Sequence, residues 1–143
     1  MMRWGECAML ERHVIRNDED VSVAVVVAQA RARLCKFNND GIQRLGTAVA
    51  ELARNISKYC PDSGGDMLIS HRDLPSGGCK LTLQFRDNGP GIADITQALQ
   101  EHYSSSGTLG LGLSGVKRLV DQFNIVSEPG QGTVVTISLE RRE

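Results

Sequence analysis

The chain has 143 residues, of which 41% are hydrophobic and 23% charged, and its formal net charge is −1. This composition is typical of a globular domain large enough to bury a core, so we expect one domain over residues 1–143. The near-zero charge excludes a general electrostatic surface for nucleic acid or for an anionic membrane, and we predict neither as a partner.

The cysteines argue against a metal centre and against a disulfide framework. The chain has four, at positions 7, 35, 60 and 79, with no Cys-x-x-Cys pair. The longest apolar run, residues 23–28, is too short to span a bilayer, and the N-terminus lacks the pattern of a signal peptide. We therefore expect a cytoplasmic protein.

Two helices are predicted after a first strand at residues 10–16. Asn17 and the acidic residues 18–20 favour a helix start, although the β-branched run at 21–27 is also compatible with a strand. Asp40 and Gln43 form a capping-box pattern for the second helix. Its apolar residues recur at helical spacing: Ile42, Leu45, Val49, Leu52 and Ile56.

The second helix also carries a polar stripe opposite its apolar one. At about 100° per residue, Thr47, Glu51, Asn55 and Lys58 fall in a narrow sector. Most polar stripes are solvated surfaces, and that interpretation stays open for this helix.

A hairpin of strands at residues 67–72 and 78–86 leads to Asp87. Leu81, Leu83 and Phe85 alternate with polar residues, and Asp87 continues the parity of the apolar face. An inward carboxylate needs a hydrogen-bonding partner, such as a ligand amine. The alternative is that residues 87–90, Asp-Asn-Gly-Pro, are only a turn.

The C-terminal third is predicted to contain both helix and strand. A short helix with Ile92, Ile95 and Leu99 precedes a small-residue loop at 103–108, and a third helix includes Val116 and Phe123. A strand at 123–127, a turn at 128–132 and a last strand follow. That strand faces inward with Thr133, Val135, Ile137 and Leu139, and residues 141–143 are expected to be unstructured.

Residues 110–115 match Gly-x-Gly-x-x-Gly but do not fit a dinucleotide-binding unit. No apolar strand precedes Gly110, and too few residues follow Gly115 for the rest of a doubly wound sheet. A P-loop pattern is absent. Gly110 and Gly112 would still leave backbone amides at a helix N-terminus, which suits a phosphate.

Four short motifs together resemble the boxes of the GHKL (Bergerat-fold) ATPase and kinase superfamily. They are Glu51-x-x-x-Asn55, Asp87-x-Gly89-x-Gly91, Gly110-x-Gly112 and Gly130-x-Gly132-Thr133, in the order and spacing of that superfamily. The resemblance implies an α/β (α+β) two-layer sandwich, in which a mixed sheet packs against helices and ATP binds between them. Within the superfamily, the size and residues 87–119 resemble the stand-alone anti-sigma-factor serine/threonine kinases, in particular the switch kinases of stressosomes.

The resemblance also implies roles for individual residues. Asp87 would bind the exocyclic amine of adenine with Thr133 in support, Glu51 would be the catalytic base, and Asn55 would be the Mg²⁺ ligand. Lys58 would lie near the phosphates or act only as a partner of the helix dipole. Residues 98–112 would form an ATP lid whose serines are contacts rather than phosphoacceptors. The remaining cofactor-binding residues would be Gly89, Gly91, Ser106, Gly107, Gly110, Leu111, Gly112 and Leu113.

Two functions are compatible with this resemblance. The first is an ATP- and Mg²⁺-dependent kinase that phosphorylates STAS-domain antagonist and scaffold proteins and, once released, binds a PP2C-type phosphatase. The second is a nucleotide-gated anti-sigma factor that holds a sigma subunit directly. A detached histidine kinase domain would need a phosphoacceptor histidine on a dimerisation helix, and none of His13, His71 and His102 qualifies.

Overall fold

The computed structural model describes residues 8–60, 63–89 and 112–142. In these residues five strands and three helices follow one another along the chain. They are β1 (Ala8–Ile15), α1 (Asp18–Leu34), α2 (Asn39–Tyr59), β2 (Gly65–Asp73), β3 (Cys79–Asp87), α3 (Leu113–Leu119), β4 (Gln122–Glu128) and β5 (Gly132–Arg141). The helix predicted at 92–99 and the loop predicted at 103–108 lie outside the described residues.

Asparagine side chains cap both long helices. The side chain of Asn17 accepts a hydrogen bond of 2.9 Å from the amide of Asp20, as predicted for α1. The N-cap of α2 is Asn38, which accepts a 2.8 Å hydrogen bond from the amide of Gly41. The predicted cap, Asp40, was wrong by two residues because Asn and Asp are equally good N-caps, and Asp40 lies instead in the acidic first turn.

The strands form one sheet in the order β1-β2-β3-β5-β4. All four strand pairs of the described residues are antiparallel, whereas the resemblance implied a mixed sheet. Two helices, α1 and α2, connect β1 to β2. Because α2 runs opposite to α1, the chain enters β2 in the direction opposite to that of β1. The predicted α+β sandwich is confirmed, with an antiparallel sheet.

The core lies between one face of the sheet and the helices. Leu81, Leu83 and Phe85 of β3 are buried there, as their alternation predicts, and the neighbouring strand β5 adds Ile137 and Leu139. The apolar stripe of α2 packs against these side chains and is completely or almost completely buried, with Ile42, Leu45, Val49, Leu52 and Ile56. The polar stripe of α2 therefore lies beside the core rather than in it, with Glu51 and Asn55 half-buried.

Two C-terminal predictions need correction. Helix α3 ends at Leu119, because Val120 is already extended, and Phe123 belongs to β4 rather than to the helix. Arg141 is the last residue of β5 rather than part of an unstructured tail, since its Nε donates a 2.7 Å hydrogen bond to the carbonyl of Cys35.

Among the described residues no helix is long and apolar enough to cross a membrane.

Candidate nucleotide site

Asp87 and Thr133 lie directly opposite each other where β3 pairs with β5. Both belong to the face of the sheet that the helices cover; Asp87 is half-buried and Thr133 is 9% exposed. The prediction from strand alternation that the two side chains share the inward face is therefore confirmed. Their roles in binding adenine stay predictions.

Gly132 allows β5 to approach the end of β3. Its φ is +99°, and a Cβ atom at this position would lie 2.2 Å from the carbonyl oxygen of Asp87, so only glycine fits. Ser127 Oγ donates to the carbonyl of Gly132 at 3.1 Å and lies 2.8 Å from the hydroxyl of Thr133. Because Ser127 has one proton, Thr133 is the donor of the second bond and keeps its lone pairs as acceptors.

The carboxylate of Asp87 already has one partner in its own loop. The amide of Gly89 donates a 2.9 Å hydrogen bond to Oδ1, an Asx-turn arrangement, so the turn interpretation describes part of this segment. A carboxylate offers about four acceptor positions, and this bond uses one of them. Asp87 can therefore hold the turn and accept from a ligand amine at the same time.

Cys60 is a neighbour of Asp87 that the sequence did not indicate. It is the C-cap of α2 and is 5% exposed. A Cβ atom at Gly89 would lie 2.4 Å from its Sγ and 3.2 Å from Oδ1 of Asp87, so the thiol and the carboxylate meet at Gly89. Burial, followed by the negative charge of Asp87, raises the pKa of the Cys60 thiol to about 12. The spacing of the cysteines bears only on metal and disulfide sites, so a thiol at a helix end beside Asp87 could not be found from the sequence.

Glu51 and Gly112 are brought into contact across α2 and α3. Gly112 is the N-cap of α3 with φ +67°, and a Cβ atom there would lie 2.7 Å from the carboxyl carbon of Glu51. The side chain of Glu51 is 35% exposed and lies 3.6 Å from a guanidinium nitrogen of Arg54. A small cavity of about 350 Å³ opens beside this contact, lined by Thr47, Glu51, Gly112, Gly115, Val116, Arg118 and Leu119.

Asn55 and Lys58 continue the stripe of α2 toward Asp87. Asn55 is half-buried, one turn after Glu51. Lys58 is exposed in the last turn of α2, with its Nζ 5.2 Å from the centroid of the Tyr59 ring. This position is compatible with both interpretations of Lys58, because it is one turn beyond Asn55 on α2 and also at the negative end of the helix dipole.

Helix α2 connects the two halves of the site. Glu51 lies nine residues before Cys60, about 14 Å along the helix axis. The same helix therefore holds the carboxylate of Glu51 beside Gly112 and the thiol of Cys60 beside Asp87. The predicted site residues Gly91, Ser106, Gly107, Gly110 and Leu111 lie outside the described residues, and Leu113 is buried in the core.

The donor atoms of these residues fit ATP with Mg²⁺. Asp87 and Thr133 offer oxygen acceptors to an amine, and Asn55 offers a hard oxygen ligand of the kind that Mg²⁺ prefers. The described residues contain no group of three or more His, Cys, Asp or Glu that could hold a metal ion by themselves. That arrangement suits Mg²⁺ when it binds through one or two protein groups together with substrate phosphates.

The face of the sheet that the described helices leave open has a larger depression behind Asp87. Its volume is about 810 Å³, and Asp66 lies at its base in ion pairs with Arg12 at 2.6 Å and Arg86 at 2.8 Å. The side chain of Asp66 is 8% exposed. Hydrogen bonds from Arg86, and then from Arg12, hold the pKa of Asp66 below its ordinary value.

The chain was compared with protein families, characterised proteins and solved structures. Residues 40–143 match the family described as histidine kinase-, DNA gyrase B-, and HSP90-like ATPase. The serine/threonine-protein kinase RsbT of Bacillus subtilis (strain 168) is 37% identical over 122 residues, which are 85% of this chain and 89% of the relative. An anti-sigma F factor of Thermoanaerobacter sp. (strain X514) is 28% identical over 135 residues, 91% of this chain and 92% of the relative.

A solved structure shares the fold. The catalytic domain of histidine kinase ThkA superposes with a TM-score of 0.52 at 16% identity, covering 92% of this chain and 95% of that domain. The 37% identical relative supports the prediction that the chain is an enzyme of the serine/threonine-protein kinase class. By its match over residues 40–143 and its extended similarity to RsbT, the chain belongs to the family of histidine kinase-, DNA gyrase B-, and HSP90-like ATPases.

Proposed function

We propose that the chain is an ATP- and Mg²⁺-dependent serine/threonine protein kinase that acts in a partner-switching module. The contact between Glu51 and Gly112 is the observation that carries the proposal. It places a carboxylate beside the N-terminal turn of α3, so a proton acceptor and the proposed phosphate-binding glycine adjoin. A binding module that only holds nucleotide has no need of a base at that position.

Each residue of the proposed site has a separate task. Asp87 accepts a hydrogen bond from the amine of adenine, and Thr133 supports it through its free lone pairs. Asn55 holds Mg²⁺, and Gly112 offers its backbone to phosphate oxygens. Glu51 accepts the proton of the serine or threonine hydroxyl under attack, which contributes about 10²- to 10⁴-fold to the rate. When bound, ATP with Mg²⁺ supplies the transferable phosphoryl group and neutralises its charge.

The proposed substrates are STAS-domain antagonist and scaffold proteins. After phosphorylating them the kinase leaves and binds a PP2C-type phosphatase or a similar output. Support comes from the resemblance of residues 87–119 and from the similarity to RsbT. Because the proposed substrate ATP is a cytoplasmic metabolite, the proposal places the protein in the cytoplasm, with residues 1–143 as one domain and residues 98–112 as its lid.

The test is incubation with labelled ATP, Mg²⁺ and STAS proteins encoded in the same genome. We expect label on serine or threonine of one STAS protein, lost in Glu51→Gln, with ATP binding retained. Glu140→Gln is a matched control, since Glu140 is a partly exposed carboxylate on β5 that pairs with the exposed Arg142 and is not part of the site. Label on histidine, or unchanged label in Glu51→Gln, would overturn the assignment of Glu51.

A nucleotide-gated anti-sigma factor is the second candidate. It is favoured by the 28% identical anti-sigma F factor from Thermoanaerobacter and by another from Pasteuria penetrans that is 32% identical over 120 residues. The two candidates differ in their dependence on Glu51. Binding of a sigma subunit that persists in Glu51→Gln, without phosphorylation of any STAS protein by the unaltered chain, would favour the anti-sigma factor.

A further inference from the structure

One row of residues crosses the face of the sheet that the described helices leave open. Its members are register partners from strand to strand, in the order Val14, Asp66, Arg86, Val134 and Val126. Because neighbouring strands lie about 4.8 Å apart, the row is about 19 Å long. All five residues line the depression of about 810 Å³ behind Asp87. The row is charged on β2 and β3 and ends in two valines on β5 and β4.

Asp66 holds two arginines in place in the charged part of the row. Nε and a terminal nitrogen of Arg86 donate to its two oxygens at 2.9 and 2.8 Å, and Nε of Arg12 donates at 2.6 Å. The carboxylate is 8% exposed, whereas the side chains of Arg12 and Arg86 are 59% and 44% exposed. Most N–H donors of the two guanidiniums are therefore left without a partner among the described residues.

Arg16 adds a third cation to the same depression. It directly follows β1 and is exposed, and its guanidinium pairs with no other residue of the described parts of the chain. Three carboxylates also line the depression, but none is available to it. Asp66 is already paired, Asp87 belongs to the face that the helices cover, and Glu128 lies on β4, two strands away from Arg86. The β1–β3 side of the depression is therefore positively charged.

We propose that this depression, which we call the arginine groove after Arg12, Arg16 and Arg86, binds an acidic segment of a partner protein. Carboxylates of the segment pair with the guanidiniums, and an aliphatic side chain packs on Val134 and on Val126, which is 57% exposed. The row accommodates about six residues of extended chain. Because Asp66 fixes two of the guanidiniums beforehand, little side-chain freedom is lost on binding. The three arginines have no part in the proposed nucleotide site, so the inference is independent of the proposed function.

The test is fluorescence anisotropy of a labelled peptide, Glu-Asp-Glu-Gly-Leu-Leu, titrated with the full chain at about 0.1 M salt. We expect saturable binding that Arg16→Glu weakens about tenfold and Arg12→Gln severalfold. Arg72→Glu is the matched control, since Arg72 is exposed on the same face of β2 but does not line the groove. It lies about 20 Å along the strand from Asp66, beyond the Debye length of about 10 Å, so affinity should hardly change. Thermal unfolding checks that each variant is folded.

The apolar end of the arginine groove has a separate test. A peptide with serine in place of both leucines should bind more weakly, and Val126→Ser should weaken binding of the leucine peptide but not of the serine peptide. Binding should persist in Asp87→Asn, which separates the groove from the proposed nucleotide site. No binding of the acidic peptide, or equal losses in Arg16→Glu and Arg72→Glu, would overturn the proposal. A groove that binds only anionic lipid vesicles would give the first of these results.

Discussion

The thiol of Cys60 and the carboxylate of Asp87 meet at Gly89, where the end of α2 adjoins the end of β3. The two residues that could hold adenine and the helix that carries Glu51 are therefore parts of one connected unit. A change at either end is expected to be felt at the other.

Replacement of Asp87 by asparagine is expected to reduce ATP affinity without unfolding the domain. Asparagine keeps an oxygen for the amide of Gly89 but loses the charge, and a hydrogen bond to a charged group contributes about 1.5–3 kcal/mol, or roughly tenfold to a hundredfold in affinity. Calorimetric titration with ATP and Mg²⁺ measures the effect. Asp73→Asn, at an exposed carboxylate at the end of β2, is the control. Unchanged affinity in Asp87→Asn would mean that residues 87–90 are only a turn.

Replacement of Gly112 by alanine is expected to abolish phosphorylation. The added methyl group would lie 2.7 Å from the carboxyl carbon of Glu51 and would displace it. Gly130→Ala is a matched control, because Gly130 also has a positive φ, +78°, but no atom within 4 Å of the added methyl. Both variants should lose about 1–2 kcal/mol of stability from the left-handed backbone, and only Gly112→Ala should lose phosphorylation. Equal activity losses would assign the effect to backbone strain.

Asp66 is expected to make stability depend on pH in the acid range. Its folded pKa is lowered by Arg86 and Arg12, so its contribution is complete above its ordinary pKa of 3.8 and is lost as the pH falls through the folded value. Asp66→Asn should cost about 1–3 kcal/mol near neutral pH, and the difference should shrink in acid. Chemical denaturation over a series of pH values measures it. Asp40→Asn, which breaks a surface pair with Arg44, should cost less than about 0.5 kcal/mol.

Cys60 is expected to resist alkylation in the folded protein. With a pKa of about 12 against an ordinary 9.0, its thiolate fraction at pH 8 is roughly a thousandfold smaller than that of a free thiol. Mass spectrometry after iodoacetamide treatment measures the modification at each cysteine, and the same chain in denaturant is the control. Asp87→Asn should accelerate the reaction, because it removes the negative charge that, after burial, raises the pKa of the thiol. Rapid modification of Cys60 in the folded chain would contradict the contact with Asp87.

The same thiol gives stability a dependence on pH in the alkaline range. Because the folded pKa of Cys60 is raised, its contribution is complete below pH 9 and is lost as the pH rises toward 12. Cys60→Ala should flatten that part of the profile in denaturation experiments.

Periodicity predicted most of the fold, because β3 and β5 each have a buried apolar face and α2 has a continuous apolar stripe. Alternation along β3 and β5 was sufficient to place Asp87 and Thr133 on the same face. It could not choose between Asn38 and Asp40 as a cap, since both side chains accept the same hydrogen bond. Nor could it reveal the contact of Cys60 with Asp87, which depends on how α2 ends relative to a strand more than twenty residues later.

The pairing of β3 with β5 also determines when the site can exist. Asp87 and Thr133 are 46 positions apart (133 − 87), and no local structure brings them together. Closing such a long loop is entropically costly, so this pairing is expected to form after the local hairpins have formed. A chain that is still being synthesised cannot complete the pocket until β5 has emerged, and an incompletely folded copy would not compete for nucleotide.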